Sequence, residues 1–321
     1  MDKVRIGVMG CASIACRSVI PAILALKDRF ELVAVASRTE VKAQQYASRF
    51  NCEGIVGYDK LLERADVDAI YMPLPTGLHQ EWVLKCLQAG KHIYAEKSIA
   101  MNFIEAEAMV SLAKRKNLAL MEGYMFRYHA QHQKVFELLA SGIIGDIRHF
   151  SASFGFPPLS HENFRYDPVI GGGALLDCAG YTVSASSFIL QQTLTVKAAS
   201  IFYDEQGTSI YGSAFLEAEN NVGVALAFGF DNYYQCSYSI WGNKGKIFLK
   251  KAFTPKADEI TTVQLELPGD TICFTISPDN HFIHIFEEFY RQILGTGRDK
   301  CFSNILEQSR ILTEIEQISK T

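Results

Sequence analysis

Apolar residues in the first 122 positions fall into short, near-continuous runs, each followed by a longer amphipathic stretch. The short runs are Val4–Met9, Phe30–Ala36, Asp68–Met72, His92–Ala95 and Leu118–Glu122, with a further one near Ile55, and they predict strands. Between them, Ile14–Lys27, Glu40–Phe50, His79–Ala89 and Phe103–Lys116 have helical spacing. Strands that are apolar throughout are buried on both faces, so helices must lie on either side of a parallel sheet. Residues 1–123 therefore predict a doubly wound α/β domain of Rossmann type.

Beyond residue 123 the rhythm changes. Helical segments at Gln131–Leu139 and Gly173–Leu190 enclose the strand-like IRHFSASFGF. The runs TVKAASIFY, SAFLEA, VGVALAFGF, YQCSYSIWG and KGKIFLKKAF then alternate with period two between glycine-containing turns. Such alternation predicts a large, open, mostly antiparallel sheet with one face covered. Helices at Asn280–Leu294 and Ser303–Ser319 close the chain, so residues 124–321 predict an α+β domain. The open apolar face of its sheet suits a homodimer or homotetramer.

Composition narrows the function classes. The chain has 321 residues, 48% hydrophobic and 21% charged, which is enough to bury the cores of two domains. A net charge of −4 and scattered Lys and Arg residues argue against a nucleic-acid partner. The longest apolar segment, Ala174–Leu190, carries Asp177 and several hydroxyl side chains, so it predicts a buried helix rather than a membrane span. Eight cysteines form no CxxC pair and no signal-peptide pattern precedes them, which predicts reduced thiols and a cytoplasmic enzyme. Two HxxH spacings, His129/His132 and His281/His284, lack a third ligand nearby and predict packing or surface histidines rather than a metal site.

Two local patterns carry chemistry. The first strand runs into G-C-A-S-I-A, Gly10 to Ala15, a turn that opens a helix. A glycine there permits the tight turn of a dinucleotide site, and Gly10, Cys11, Ala12, Ser13 and Ile14 would present backbone N–H groups to a pyrophosphate. The second strand ends in Ser37–Arg38–Thr39, where NAD enzymes usually place a carboxylate for the ribose 2′-hydroxyl. Arg38 can instead pair with a 2′-phosphate, favouring NADP(H) over NAD(H). The second pattern is HIYAEKSIA, His92–Ala100, which sets Glu96 and Lys97 between apolar stretches at a strand's C-terminal end. Open α/β sheets bind ligands at that end.

The turn GCASIA, the loop PLPTGLH at 73–79, AGKHIYAEKS at 89–98 and GGGALLDCAGY at 171–181 together resemble the glucose–fructose oxidoreductase, inositol dehydrogenase and MocA group over nearly the whole chain. Within it, GCASIACRSVIPAI and LMEGYMFRYHAQH look most like nucleotide-linked sugar 3-ketoreductases of deoxysugar biosynthesis. The resemblance implies a nicotinamide cofactor between a Rossmann domain and a sheet-bearing second domain. The family's EKP signature maps onto Glu96–Lys97–Ser98, with serine replacing proline, and its D-x-G-x-H/Y signature maps onto Asp177–Tyr181, with Ala179 replacing glycine.

Those matches imply Lys97 as the residue that positions the carbonyl, and they make Tyr181 the candidate proton donor; a phenol titrates near pH 10 and so keeps its proton at neutral pH. Asp177, one turn before Tyr181, is cast as the acceptor for a substrate hydroxyl, with helix capping as the alternative. Leu74, Pro75, Thr76 and Glu96 are expected along the cofactor. His79 and Arg165 are further cofactor candidates, with a packing histidine and a surface arginine as alternatives. Tyr124, Arg127 and Tyr128 would border the cleft, with domain packing as the alternative, and PPLSHENF at 157–164 would select the substrate. The expected reaction is NADPH-dependent reduction of a keto group, C3, on a nucleotide-linked deoxysugar. A dehydrogenase of a free sugar, inositol or dihydrodiol, and a non-catalytic cofactor-binding regulator, are the competing readings.

Overall fold

A computed structural model of the chain describes residues 3–321. It divides into two compact units, one running to Gly123 and including Phe282–Glu307, the other made of Tyr124–His281 and Gln308–Thr321.

The first unit holds six parallel strands: β1 (Val4–Met9), β2 (Phe30–Ser37), β3 (Glu53–Val56), β4 (Ala69–Met72), β5 (His92–Ala95) and β6 (Leu120–Glu122). Their order is β3-β2-β1-β4-β5-β6, the doubly wound arrangement expected from the apolar runs. Helices α1 (Ile20–Ala25), α2 (Glu40–Phe50), α3 (Tyr58–Leu62), α4 (His79–Gln88) and α5 (Phe103–Lys116) make the crossovers. The local sequence sets their ends. The Asn102 side chain accepts from the Glu105 N–H at 3.0 Å, and Glu105 in turn accepts from the Met101 N–H, a reciprocal cap. Asn117 ends α5 in the left-handed region at φ 55°, after Lys114, Arg115 and Lys116 have placed positive charge on the negative end of the helix dipole. The predicted helix over Ile14–Lys27 begins instead as a π-helical segment, Ala15–Val19, before α1.

The second unit is built on an eight-stranded sheet: β7 (Ile147–Gly155), β8 (Thr195–Tyr203), β9 (Ser209–Ala218), β10 (Val222–Gly229), β11 (Gln235–Gly242), β12 (Lys246–Leu249), β13 (Thr261–Leu267) and β14 (Asp270–Ile276). The order is β14-β13-β12-β11-β7-β10-β9-β8, antiparallel except for the β7–β10 pair. Helices α6 (Ala130–Ala140) and α7 (Gly180–Leu190) belong to this unit. Along β10 and β11 alternate residues are buried (Val224, Leu226, Phe228; Cys236, Tyr238, Ile240), while the intervening ones, Trp241 among them, face outward.

Two C-terminal helices complete the chain, α8 (His281–Ile293) and α9 (Arg298–Ser319). The single boundary drawn from sequence kept both with the α+β region, whereas Phe282–Glu307 groups with the Rossmann unit. The cause is aromatic: Phe286 and Phe289 on the apolar stripe of α8 stack on Tyr94 and Phe30, with ring centroids 4.8 and 6.4 Å apart, and are fully buried.

Candidate active site

The first group of candidates gathers at the C-terminal edge of the parallel sheet. Gly10 follows β1 at φ +123°, and a Cβ there would lie 3.0 Å from the Leu74 side chain, so only glycine fits this turn. Its N–H bonds Ala36 O at 2.9 Å, joining it to β2. Cys11, Ala12, Ser13 and Ile14 lead into the helical segment, with Ser13 exposed and the Ala12 carbonyl accepting from Tyr46 OH at 3.0 Å. The first N–H groups of a helix have no partner within it and are aimed outward. Burial pushes the Cys11 thiol up, so it is not a reactive thiolate. At the end of β2 the Ser37 hydroxyl is buried and accepts from the Thr39 N–H at 3.3 Å, while Arg38 is exposed. A glycine turn opening a helix, with a guanidinium rather than a carboxylate directly after β2, fits a dinucleotide bearing a 2′-phosphate.

Leu74, Pro75 and Thr76 follow β4, and Glu96 and Lys97 follow β5. His79 joins these two loops. Its Nε2 lies 2.8 Å from Leu74 O, and its Nδ1 lies 3.1 and 3.2 Å from Ser98 O and Ile99 O. Both ring nitrogens face main-chain carbonyls in a fully buried site, and the neutral ring can donate to only one side, an arrangement that favours the packing alternative for His79, a clamp between the two loops. Burial lowers its pKa against the pull of those carbonyls.

Glu96 accepts from Tyr71 OH at 2.8 Å. Burial raises the Glu96 carboxyl above the usual range, while that hydrogen bond and the Lys97 charge oppose the shift. The Lys97–Ser98 peptide is cis, and the Glu122 carboxylate accepts from Ile99 N at 2.8 Å just beyond it. Tyr71 and Glu122 therefore brace the Glu96–Ile99 turn. Neither was singled out from sequence; the one visible signal was a tyrosine in the otherwise aliphatic strand AIYM.

Arg165, Asp177 and Tyr181 belong to the second unit. Asp177 lies within a π-helical segment, Leu175–Ala179, and Tyr181 is the second residue of the regular helix that follows. The sequence predicted one uninterrupted helix here; π turns of this kind frequently mark functional sites. Tyr181 is 6% exposed and caged by the rings of Phe154, Tyr124 and Phe253 at 4.7, 5.6 and 5.7 Å. Gln308 donates to Gly180 O at 2.8 Å and to Tyr124 OH at 3.1 Å, fixing the start of α7 against the cage. Arg165 Nε donates to Asp177 Oδ2 at 2.7 Å. The Arg127 guanidinium lies 4.9 Å from the centre of the Phe188 ring, a packing role.

A parallel sheet in Rossmann order, a glycine turn ending its first strand, and a lysine after its fifth, joined in one chain to an α+β unit bearing an Asp–Tyr pair, define an oxidoreductase of the dinucleotide-binding class. Residues 4–124 match the oxidoreductase family with an NAD-binding Rossmann fold, and residues 132–248 match the GFO/IDH/MocA C-terminal domain. The chain belongs to the GFO/IDH/MocA family. It is 42% identical over 298 residues to the dTDP-3,4-didehydro-2,6-dideoxy-alpha-D-glucose 3-reductase of Saccharopolyspora spinosa, covering 92% of this chain and 90% of that one. The enzyme of the same name from Actinomadura kijaniata is 37% identical over 295 residues, covering 92% and 89%. A crystal structure of a 3-ketoreductase from Actinomadura kijaniata in complex with NADP and TDP-benzene superposes with a TM-score of 0.95 at 34% identity, covering 99% of this chain and 98% of that one. Structures of that reductase with a tyrosine replaced by phenylalanine, or a lysine by alanine, superpose at 0.95 and 0.92.

Proposed function

We propose that the protein reduces the C3 keto group of a dTDP-linked deoxysugar with NADPH. The observation that carries this reading is similarity to dTDP-sugar 3-reductases along nine-tenths of both chains, so that the second unit, and not the Rossmann half alone, is shared. The choice of Lys97 and Tyr181 has its own support. The lysine and tyrosine replaced in the reductase variants are separated along their chain by as many residues as separate Lys97 from Tyr181 here.

NADPH, when bound, supplies a hydride to the carbonyl carbon. Tyr181 donates its hydroxyl proton to the carbonyl oxygen as the C=O bond is reduced, then recovers a proton from solvent, so one hydride and one proton make the alcohol. The Lys97 ammonium hydrogen-bonds that oxygen and stabilises the charge developing on it. Asp177 accepts from a neighbouring sugar hydroxyl. Backbone N–H groups of Gly10–Ile14 hold the pyrophosphate, Arg38 the 2′-phosphate, and Leu74, Pro75 and Thr76 line the ribose, while Glu96 orients the turn that carries Lys97. The loop at 157–164 selects the nucleotide-sugar.

The outward face of the eight-stranded sheet carries exposed Phe202, Tyr211, Phe215 and Trp241 and is read as the surface of a homodimer or homotetramer. All eight cysteines are free thiols, which supports a reducing, cytoplasmic setting. No helix among the described residues is long and apolar enough to cross a membrane.

The test is turnover by purified protein of a dTDP-3-keto-deoxysugar with NADPH or NADH, with the product identified by mass spectrometry. NADPH-preferring formation of the 3-hydroxy sugar is the expected result. Oxidation of free sugars, inositol or dihydrodiols without reduction of the keto sugar would overturn it in favour of a dehydrogenase. Tight NADPH binding with no turnover of either class would mean a regulatory cofactor-binding protein.

A further inference from the structure

The run Gly171–Gly172–Gly173 folds back onto the backbone of Arg165. Gly172 N donates to Asp167 O at 2.8 Å and Gly173 N donates to Arg165 O at 2.7 Å. A Cβ on Gly172 would lie 2.5 Å from Arg165 O and 2.6 Å from Asp167 O, so the approach excludes any side chain at that position. Gly173, at φ +111°, then starts the turn that carries Asp177, whose N–H bonds Gly173 O at 3.1 Å. The Arg165 side chain reaches the same turn by a second route, through Nε to Asp177 Oδ2 at 2.7 Å, with its guanidinium 4.8 Å from the Phe164 ring centre. On the other side, the neighbouring Tyr166 hydroxyl accepts from Leu159 N at 3.0 Å, and the Asn163 side chain accepts from Arg165 N at 3.1 Å. Main chain and side chain of one residue thus grip both ends of the Gly173–Asp177 turn, while the segment holding that residue is bonded to the 157–164 loop.

We infer that Arg165 is a positioning residue, a clasp that sets the seating of the 157–164 loop and the alignment of Asp177 together, and not a ligand of the cofactor. The inference rests on the functional reading above only in taking Asp177 and Tyr181 as groups that meet the substrate. Burial disfavours the Arg165 charge, but Asp177, by its charge and its hydrogen bond, holds the guanidinium pKa above its ordinary value. Lysine could supply the charge but not the planar group that lies beside Phe164 while bonding a carboxylate.

The test compares wild type with Arg165→Ala, Arg165→Lys, Asp177→Asn, the Arg165→Ala/Asp177→Asn pair and Gly172→Ala. Hydrogen exchange without substrate is read at residues 157–166 and 172–177, together with NADPH affinity and steady-state kinetics on the keto sugar. Arg165→Ala and Asp177→Asn should each raise exchange in both segments, and the pair should raise it no further than either alone. Gly172→Ala should raise it in the same two segments without touching a charged group. Arg165→Ala should lower kcat/KM for the keto sugar about tenfold while the NADPH Kd moves less than about twofold, and Arg165→Lys should recover part of the loss. Loss of NADPH affinity in step with kcat/KM would make Arg165 a cofactor ligand and overturn the clasp, as would wild-type exchange at 172–177 in Arg165→Ala. A wild-type protein inactive on the keto sugar would overturn the functional reading, while the exchange and cofactor arms would still decide the clasp.

Discussion

In the proposed mechanism, Arg38 and Tyr181 carry the chemistry that separates one oxidoreductase from another at the scale of single side chains. Arg38 stands exposed after β2 where a carboxylate would repel a 2′-phosphate. A hydrogen bond between charged groups contributes roughly 1.5–3 kcal/mol, so Arg38→Ala should weaken NADPH binding by about tenfold or more and NADH binding by less than about threefold. Calorimetric titration of both cofactors checks this, and equal losses would remove the phosphate role. Tyr181→Phe keeps the ring within its cage of Phe154, Tyr124 and Phe253 and deletes only the hydroxyl. Turnover should fall by about a hundredfold with NADPH affinity unchanged, and a near-wild-type kcat would rule out Tyr181 as the proton donor. Gly10 and Lys97 could be picked out by eye because each breaks an apolar or helical pattern, whereas Tyr181 is reached only through the family signature that spans Asp177–Tyr181. Gln308 could not be picked out: its partners lie 128 and 184 residues earlier in the chain, and a glutamine on an amphipathic helix looks like any solvated position.

Among the elements, legibility followed apolar content. The buried central strands β1, β4 and β5 read as continuous hydrophobic runs, and β1 and β5 matched their predicted bounds. Strands β13 and β14 were missed. They end the sheet, β14 at its edge and β13 beside it, and β14 is at most half-buried, its alternation mixing threonine and cysteine with the apolar residues. The π turns at Ala15–Val19 and Leu175–Ala179 were equally invisible, because helical periodicity does not report one extra residue per turn. Helix ends are governed by single contacts, and one arginine closes two of them. Arg298 donates to Gln292 O and Ile293 O at the end of α8, at 2.6 and 2.7 Å, and to Asn117 O and its side chain beyond α5, at 2.7 and 2.6 Å. Removing it leaves several carbonyls unanswered, so Arg298→Ala should destabilise the first unit by about 2 kcal/mol, read as a lowered denaturant midpoint. A midpoint unchanged from wild type would mean that water replaces the guanidinium without cost.

For the whole molecule, part of the response to acid follows from histidines whose charged form the fold disfavours: the buried His79 and the partly buried His92 in the first unit, and the buried His132 in the second. His132, in the second, has Nδ1 2.8 Å from Tyr238 OH and Nε2 3.2 Å from Ala252 O, which fits a neutral ring that accepts from the phenol and donates to the carbonyl. Burial, with the neighbouring His129, lowers its pKa from 6.5 to about 3. His92, in the first, accepts from Ala119 N at 3.0 Å through Nδ1, and burial, with the Arg298 charge, lowers it to about 4. Both folded values lie below the unfolded one, so between them the unfolded chain binds protons that the folded chain refuses. Stability is therefore complete above about pH 6.5 and lost as pH falls, by about 1.4 kcal/mol per pH unit for each histidine. The loss should continue to about pH 4 for His92 and about pH 3 for His132. Each unit contains one tryptophan, Trp82 in the first and Trp241 in the second, so Trp241→Phe and Trp82→Phe give proteins whose fluorescence follows one unit at a time. Urea midpoints taken from pH 7 to pH 4.5 should decline in both, and His132→Gln, which cannot charge, should flatten the decline reported by Trp241 while leaving that of Trp82 unchanged. A pH-independent midpoint for Trp241 in the protein that retains His132 would mean that this ring accepts its proton without unfolding the site.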